Sequence, residues 1–297
     1  MKILDGKSTA AQIREELKVE VKDLKRLNKR VPGLAAVLVG NDGASQTYVN
    51  AKVRDCAEIG FNSQLIELDE NISEHDLLKK VEELNNNPEI DGFIVQLPLP
   101  DHIDENKVIS AIHPTKDVDG FHPENFGRMA LDLPAFVSAT PQGIVELLRR
   151  YKIDTQGKHC VVMGRSNIVG SPVSILMSRN DNPGNATVTL VHSRTKNLKE
   201  ITKSADILIA AIGRPGLVTK DMVKEGAVVV DVGMTRVDDP SKKKGYRLAG
   251  DVNFEEVKTI ASYITPVPGG VGPMTRASLL LNTFQAYKRK EKKKFLR

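Results

Sequence analysis

Short apolar runs and amphipathic, helix-like stretches alternate along this 297-residue chain, and few folds accommodate that order. In the first half, strands are predicted at residues 34–39, 64–68 and 92–97. We interpret these runs as continuously apolar, which is typical of parallel strands that helices cover on both faces. The sequence therefore predicts an α/β fold.

A second alternation begins near Pro141, after an irregular stretch at residues 113–139 that is rich in Pro, Gly and Asp. Its strands are predicted at residues 159–163, 187–191, 207–212, 228–232 and 263–265. A chain of this length suits two domains. We predict a first domain at residues 1–138 and a second at 139–276, with a C-terminal helix at 277–297 that packs back on the first.

The net charge of +5 comes from the end of the chain, where residues 288–297 hold seven Lys/Arg and one Glu. The remaining body is close to neutral and has no basic stripe with interleaved aromatics, so no nucleic-acid partner is expected. A binding protein tethered to RNA by the basic tail remains an alternative.

Two cysteines without a CxxC pattern exclude a disulfide scaffold, and no metal site is predicted. No window is apolar enough for a membrane span, and the N-terminus shows no signal or transit pattern. We therefore expect a cytoplasmic protein with no membrane partner.

A possible site for chemistry follows the strand at residues 34–39. There a polar turn leads into a helical pattern that places Ser45, Tyr48 and Lys52 on one face, at offsets of three, four and seven residues. A phenol, a hydroxyl and an amine at a strand end can hold a ring and move a proton. The alternative is a solvated lysine beside a half-buried tyrosine.

A candidate nucleotide-binding turn lies between the strand at 159–163 and a helical pattern. Gly164 and Gly170 do not complete a strict GxGxxG, but backbone N–H groups at the start of a helix in a βαβ unit can bind a pyrophosphate. An ordinary strand–helix turn is the alternative.

The next strand, at 187–191, indicates which nucleotide. It ends in His192, Ser193, Arg194 and Thr195, without the acidic residue that usually holds the ribose hydroxyls of NAD. Together with Arg165, this basic end suits a 2′-phosphate, because arginine binds phosphate in a planar fork. NADP is the predicted cofactor.

A Tyr-x-x-x-Lys pair beside a nucleotide fold also suggests a short-chain dehydrogenase. In that family the glycine turn precedes the pair within one domain, whereas here the pair comes first by more than a hundred residues. Chain order therefore disfavours this alternative.

Along essentially its whole length, the chain resembles the bifunctional methylenetetrahydrofolate dehydrogenase/cyclohydrolase family. Six segments in order carry the resemblance: residues 48–52 (Tyr-Val-Asn-Ala-Lys), 95–100 (Val-Gln-Leu-Pro-Leu-Pro), 116–121 (Lys-Asp-Val-Asp-Gly-Phe), 164–170 (Gly-Arg-Ser-Asn-Ile-Val-Gly), 192–195 (His-Ser-Arg-Thr) and 268–275 (Pro-Gly-Gly-Val-Gly-Pro-Met-Thr). The resemblance implies a homodimer whose two α/β domains flank a cleft, with folate on the first domain and NADP on the Rossmann-type second.

The resemblance also implies roles for residues. Lys52 would be the central catalytic residue, Gln96 would hydrogen-bond it, Tyr48 would stack along the folate and Asp119 would bind the pterin edge. The implied substrate-binding residues are Tyr48, Val49, Asn50, Ala51, Lys52, Val95, Gln96, Leu97, Pro268, Gly269, Gly270, Val271, Gly272, Pro273, Met274, Thr275 and Arg276. The implied cofactor-binding residues are Gly164, Arg165, Ser166, Ser193, Arg194 and Met234.

The implied activity is NADP-dependent oxidation of 5,10-methylenetetrahydrofolate, followed by hydrolysis of the methenyl product to 10-formyltetrahydrofolate. A dehydrogenase without cyclohydrolase activity is the alternative, and the presence of both Lys52 and Gln96 counts against it.

Overall fold

A computed structural model of the chain describes residues 1–242 and 245–295. Its elements in chain order are β1 (Lys2–Ile3), α1 (Gly6–Arg26), β2 (Gly33–Val39), α2 (Gly43–Ile59), β3 (Asn62–Leu68), α3 (Glu74–Asn86), β4 (Gly92–Val95), α4 (Glu105–Ala111), α5 (Pro123–Ala130), α6 (Ala139–Arg150), β5 (His159–Met163), α7 (Gly170–Ser178), β6 (Thr187–Val191), α8 (Leu198–Lys203), β7 (Ile207–Ala210), β8 (Val228–Asp231), β9 (Thr235–Asp238), β10 (Tyr246–Ala249), α9 (Phe254–Val257), β11 (Tyr263–Ile264) and α10 (Val271–Phe295). The predicted α/β class is confirmed.

Contacts divide the chain into two compact units. The three-stranded unit comprises Ala11–Ala139 and the segment from Arg276 onward, and the six-stranded unit comprises Met1–Ala10 and Thr140–Thr275. Residues 1–10, placed in the first domain by the sequence analysis, thus group with the second half. The physical reason is the parallel pairing of β1 with β11, which a single sequence does not reveal.

In the three-stranded unit the strand order is β3-β2-β4, and both pairings are parallel. Every residue of β2 is buried, as its continuous apolar sequence predicts. β3 differs, because its exposure alternates along the strand, as is typical of a strand with one solvated face. Phe93, Leu77 and Val81 belong to the core beside the sheet, and the carboxyl ends of β2 and β4 lie at one edge.

The six-stranded unit has the order β1-β11-β8-β7-β5-β6, with parallel pairing throughout. The chain proceeds from β5 to β6 on one side and then continues with β7 on the other side of β5. This reversal is a topological switch point, where open α/β sheets bind ligands beyond the carboxyl ends of their strands.

Three local features differ from the sequence analysis or add to it. α1 begins at Gly6, and the Asp5 carboxylate accepts a hydrogen bond from the Ser8 N–H. The last helix begins at Val271, not near residue 277, because Pro273 falls in its first turn, where proline is tolerated. The antiparallel pair β9–β10 was not predicted.

The basic C-terminal segment lies partly in α10, while residues 296 and 297 are outside the described part of the chain. Lys288 pairs with Glu20 at 3.5 Å, and Lys290 lies 3.6 Å from Asp91. Among the helices of the described residues, none combines the length and apolar character that crossing a membrane requires.

Candidate active site and cofactor cavity

Helix α2 carries the residues around which the first site is built. Asp42 caps its N-terminus, since its carboxylate accepts a hydrogen bond of 2.7 Å from the Ser45 N–H. Tyr48 and Lys52 follow one turn apart, and Lys52 is only 6% exposed. The alternative of a solvated lysine is therefore wrong, because this amine-bearing side chain is buried and must have polar partners.

Two polar groups from other elements contact Lys52. Its Nζ donates to the Gln96 Oε1 at 3.2 Å and lies 4.0 Å from the Asp119 Oδ2. The Lys52 Nζ also lies 6.0 Å from the centroid of the Tyr48 ring. Gln96 and Asp119 lie 44 and 67 positions after Lys52 in the sequence, and both approach its amine in the folded unit.

Gln96 reaches Lys52 from the carboxyl end of β4, where the sheet edge favours ligand binding. Its backbone N–H donates to the Val37 carbonyl at 2.9 Å, which continues the pairing with β2. The side-chain Nε2 donates to the Leu97 carbonyl at 2.7 Å. Because the amide nitrogen is held in this way, the amide oxygen is the atom presented to Lys52.

The loop that carries Asp119 is organised by a buried neighbour, Asp117. Its carboxylate accepts hydrogen bonds from the backbone N–H groups of Gly120, Phe121 and His122 at 3.1, 3.1 and 2.8 Å, and from the Asn125 Nδ2 at 2.8 Å. Burial raises the pKa of Asp117, although the hydrogen bonds oppose that effect.

Sequence reasoning missed Asp117 and Asn125. The signal available was a second aspartate two positions before Asp119, in the segment at residues 116–121. Gly120 supports the same loop: its φ is +73°, and a Cβ there would lie 2.5 Å from the Ser138 nitrogen.

Arg276 and Asp55 form an ion pair near Tyr48. The Arg276 Nε donates to the Asp55 Oδ2 at 2.7 Å, and the Asp55 side chain is buried. Burial raises the pKa of the Tyr48 phenol, the Arg276 charge lowers it and the Asp119 charge raises it. Asp55 was missed, although it lies on α2 one turn after Lys52.

Other residues implied to bind substrate differ in how much surface they offer. Val49 and Val95 are 0% and 5% exposed and belong to the core of their unit, and Ala51 is also buried. Asn50 is exposed and Leu97 is partly exposed. Within this group, Asn50 and Leu97 therefore offer a ligand the most side-chain surface.

The glycine-rich stretch from Pro268 to Thr275 belongs to the six-stranded unit, whereas Arg276 belongs to the other. The chain is closely packed there: a Cβ on Gly270 would lie 2.6 Å from the Pro266 oxygen, and the Gly269 carbonyl accepts a 2.8 Å hydrogen bond from the Lys7 N–H. Val271, Gly272, Pro273, Met274 and Thr275 lie in the first turns of α10, with Met274 fully buried. Pro268 is the most exposed residue of this stretch.

The six-stranded unit contains a cavity of about 540 Å³ at the carboxyl ends of β5, β6 and β7. Its polar lining comes from the turns after these strands: Gly164, Arg165 and Ser166, then His192 and Ser193, then Arg214. Its apolar lining includes Val191, Leu198, Ile212 and Leu217. Apolar walls with convergent polar groups at a switch point suit an adenine nucleotide.

Gly164 is required by the geometry of this cavity. Its φ is +110°, and a Cβ would lie 2.1 Å from the Ala211 oxygen. Gly170 is equally constrained, since a Cβ there would lie 2.0 Å from the Gly164 oxygen. The two glycines let the turn approach both β7 and the start of α7, which is the arrangement a pyrophosphate needs.

The cavity includes some of the predicted cofactor residues and not others. Gly164, Arg165, Ser166 and Ser193 line it, whereas Arg194 and Met234 do not belong to the lining set. His192 follows β6 directly, and its N–H donates to the Thr195 hydroxyl at 2.9 Å. The end of β6 is thus free of the carboxylate expected of an NAD site, and the residues present fit a 2′-phosphorylated nucleotide.

A doubly wound sheet with a basic, glycine-lined cavity at its switch point, and a second unit with a buried lysine site, define the class: a dinucleotide-dependent α/β enzyme. Sequence models of two domains match the chain, the catalytic domain of tetrahydrofolate dehydrogenase/cyclohydrolase over residues 4–119 and its NAD(P)-binding domain over residues 138–291. The chain therefore belongs to the tetrahydrofolate dehydrogenase/cyclohydrolase family.

Individual relatives agree over nearly the full length. A protein named Bifunctional protein FolD, from Cytophaga hutchinsonii, is 66% identical over 286 residues, which cover 96% of this chain and 99% of the relative. The crystal structure of the bifunctional FolD enzyme from Campylobacter jejuni has 46% identity and a TM-score of 0.91, covering 98% and 99% of the two chains.

The Trypanosoma brucei dehydrogenase-cyclohydrolase, solved with NADP cofactor and an inhibitor, has 42% identity and a TM-score of 0.91 and covers 96% and 97%. These relatives support both a dehydrogenase and a cyclohydrolase activity for this chain. A dehydrogenase alone is not favoured.

Proposed function

We propose that this chain oxidises 5,10-methylenetetrahydrofolate with NADP and then hydrolyses the methenyl product to 10-formyltetrahydrofolate, with Lys52 as the central catalytic residue. The observation that carries the proposal is the set of contacts around the Lys52 Nζ, with Gln96 at 3.2 Å and Asp119 at 4.0 Å. A buried amine between an amide and a carboxylate is suited to proton transfer, and a surface lysine is not.

Asp119 and Tyr48 are proposed to hold the pterin. The side chain of Asp119 is 14% exposed, so part of its surface is accessible to a ligand. A pterin presents adjacent N–H donors on its amino-pyrimidine edge, which a carboxylate can bind in bidentate fashion. The Tyr48 ring offers an aromatic face beside Lys52 for the folate to stack on.

NADP, when bound, supplies a hydride acceptor for the methylene carbon. The residues proposed to hold it are Gly164, Arg165, Ser166 and Ser193 of the cavity, with Arg194 and Met234 as further contacts. Loss of the hydride leaves a methenyl carbon that shares a positive charge with the two folate nitrogens.

The hydrolysis step uses the side chains around Lys52. The Lys52 amine is proposed to accept a proton from the attacking water as that water adds to the methenyl carbon. The water oxygen bonds to the methenyl carbon, and the bond from that carbon to N5 breaks. N5 takes up one proton of the water, the other is released, and the formyl group remains on N10.

The test substitutes Lys52 by methionine, which keeps most of the buried volume and removes the amine. We expect cyclohydrolase turnover to fall by about 100- to 10,000-fold, the usual contribution of general acid–base catalysis. The Kd for NADP should stay within about twofold, because Lys52 lies in the other unit. Methenyl and formyl products would be followed by absorbance with either NADP or NAD as cofactor.

The matched control is Arg54→Met, which removes an exposed cation from the same helix and should leave turnover unchanged. Cyclohydrolase activity of Lys52→Met at the wild-type rate would refute the role of the amine. No hydride transfer by the unaltered chain with either cofactor would refute the activity as a whole.

A homodimer in the cytoplasm completes the proposal. The dimer rests on the family resemblance, and a mass of twice 32.6 kDa in light scattering would support it. A reducing compartment agrees with Cys56 and Cys160, two free and buried thiols whose pKa values burial raises to about 12.

A further inference from the structure

Arg214 lines the cofactor cavity, yet neither motif spacing nor the family resemblance pointed to it. It lies in the turn after β7, on the opposite side of β5 from the turn that carries Ser193. Among the lining residues, all of which belong to the described ranges, none is acidic. The cavity therefore presents two arginines, Arg165 and Arg214, to an anionic ligand.

A buried carboxylate fixes the backbone of this turn. The side chain of Asp251 is 0% exposed and accepts hydrogen bonds from the backbone N–H groups of Ile212, Gly213 and Arg214 at 2.7, 3.1 and 2.7 Å. Three such bonds hold the three residues in one conformation. The position of the Arg214 Cα is thus set by the fold before any ligand binds.

The turn also lies directly against the glycine turn. The Ala211 N–H donates to the Met163 carbonyl at 2.8 Å, and the Ala211 oxygen occupies the space that a Cβ of Gly164 would need. Arg214 is three residues further on, and its side chain is exposed. Among residues 1–242 and 245–295, no carboxylate is paired with its guanidinium, so the group is available to an anion.

We propose that Arg214 is a specificity-determining residue that binds the 2′-phosphate of NADP together with Arg165 and Ser193. This inference rests on the proposed NADP dependence and adds a residue to it. A 2′-phosphate carries more charge than one guanidinium neutralises, and arginine matches phosphate geometry in a planar fork. A cation at this place favours NADP over NAD only if it contacts the phosphate that NAD lacks.

The test measures binding to the full-length chain by isothermal titration calorimetry, with 2′,5′-ADP and AMP as minimal probes and NADP and NAD as complete cofactors. We expect Arg214→Gln to weaken 2′,5′-ADP and NADP by about 10- to 100-fold, the usual effect of losing a charge-assisted hydrogen bond. AMP and NAD should change by less than about twofold. Arg214→Lys keeps the charge without the fork and should show an intermediate loss.

The matched control is Arg236→Gln, which removes an arginine of the same unit that lies outside the cavity. It should leave all four affinities within about twofold, which separates contact from the general field of the unit. Since Arg214 is exposed, its substitution should not affect folding, and far-UV circular dichroism would verify this.

Two results would overturn the inference. Unchanged affinities in Arg214→Gln would show that the residue does not contact the ligand, and equal losses for AMP and 2′,5′-ADP would place it on the adenine or the 5′-phosphate. An unaltered chain that binds neither NADP nor 2′,5′-ADP would instead contradict the proposed cofactor, and the inference with it.

Discussion

In each unit a buried aspartate holds the backbone of a loop that carries a residue of a proposed site, but the two residues differ in their exposure and contacts. Asp117 holds three backbone N–H groups and Asn125, and its loop presents Asp119. Asp251 also holds three backbone N–H groups, and its loop presents Arg214. The backbone solution is the same in both places.

The difference lies in the side chain at the end of the loop. The Asp119 side chain is 14% exposed and its Oδ2 lies 4.0 Å from the Lys52 Nζ. Arg214 is exposed, and its proposed partner is the phosphate of a bound ligand. Catalytic groups are most effective when they are already in position before the reaction. The conformational entropy lost in ordering their side chains is therefore offset by the interactions of the folded protein. A cofactor-binding arginine can be ordered by the ligand itself, at some expense in affinity.

Among the substitutions that test the comparison of the two loops, Asp117→Asn should have the largest effect. An amide NH₂ cannot accept hydrogen bonds, so at least one buried N–H of the loop would lose its partner and face another donor. We expect the free energy of unfolding to fall by about 3 kcal/mol and cyclohydrolase turnover to fall by about 100-fold, because Asp119 shifts relative to Lys52. Urea unfolding and product absorbance measure the two effects.

The control for this substitution is Asp101→Asn, an exposed aspartate of the same unit, which should change neither quantity appreciably. The Kd for NADP should be unaffected in both variants. If Asp117→Asn lost stability but kept full turnover, Asp117 would be structural only and the proposed comparison of the two loops would fail.

The sequence predicted the two sites to different degrees, and the reason is physical. The placement of Tyr48 and Lys52 on one helix face was predicted from local periodicity, whereas Gln96 and Asp119 came from the family resemblance. Asp251 and Arg214 are 37 residues apart, and no local sequence pattern predicts the hydrogen bond from the Arg214 N–H to the Asp251 carboxylate. Their association depends on which strands are neighbours, which is a property of the whole sheet.

The same reason explains two features of the fold that the sequence analysis did not predict. β1 pairs with β11, although the two strands lie about 260 residues apart in the sequence. β9 and β10 have no continuous apolar run that would predict a strand, because their sequences are partly polar and half-exposed. The helical pattern of α2 was predicted because the spacing of Ser45, Tyr48 and Lys52 is a local signal. Local sequence patterns therefore predict many of the helices and strands, whereas the residues that come into contact depend on which strands pair.

A second, smaller effect concerns pH and applies to the six-stranded unit alone. Asp231 lies behind Asp251, because its carboxylate accepts hydrogen bonds from the N–H groups of Asp251 and Val252, each at 2.9 Å. Burial raises the pKa of Asp231 to about 6, while these hydrogen bonds and that with Gly233 oppose the rise. The folded protein therefore binds this proton more tightly than the unfolded chain.

This tighter proton binding determines how Asp231 affects stability as the pH changes. The contribution of Asp231 to the free energy of unfolding is fully present below its ordinary pKa of 3.8 and is lost as the pH rises through about 6. A difference of this size corresponds to about 3 kcal/mol. Asp231→Asn should remove this pH dependence of the free energy of unfolding, as measured by urea unfolding from about pH 4 to about pH 7.5.

Asp206 provides an opposite control. Its pKa is lowered, chiefly by the hydrogen bond from Lys224, so its contribution is present at neutral pH and is lost as the pH falls. Asp206→Asn should thus alter the curve only on the acid side and with the reverse sign. A slope that Asp231→Asn leaves unchanged would show that another group produces it.

The smallest expected effect comes from the N-cap of α2, the helix that carries Tyr48 and Lys52. Asp42→Ala removes the hydrogen bond to the Ser45 N–H and should lower the free energy of unfolding by about 1 kcal/mol. Ser73→Ala removes the corresponding cap of α3 in the same unit, where the Ser73 Oγ accepts from the Asp76 N–H at 3.1 Å, with a similar loss of stability.

Only Asp42→Ala should also reduce cyclohydrolase turnover, by less than about tenfold, because fraying of the first turn of α2 displaces Tyr48 more than Lys52. Equal turnover in the two cap variants would mean that Gln96 and Asp119 alone hold the Lys52 amine in place. The geometry around Lys52 would then depend on contacts between side chains and not on the first turn of α2. The cavity of the six-stranded unit differs, because hydrogen bonds to the backbone of its turns determine its geometry.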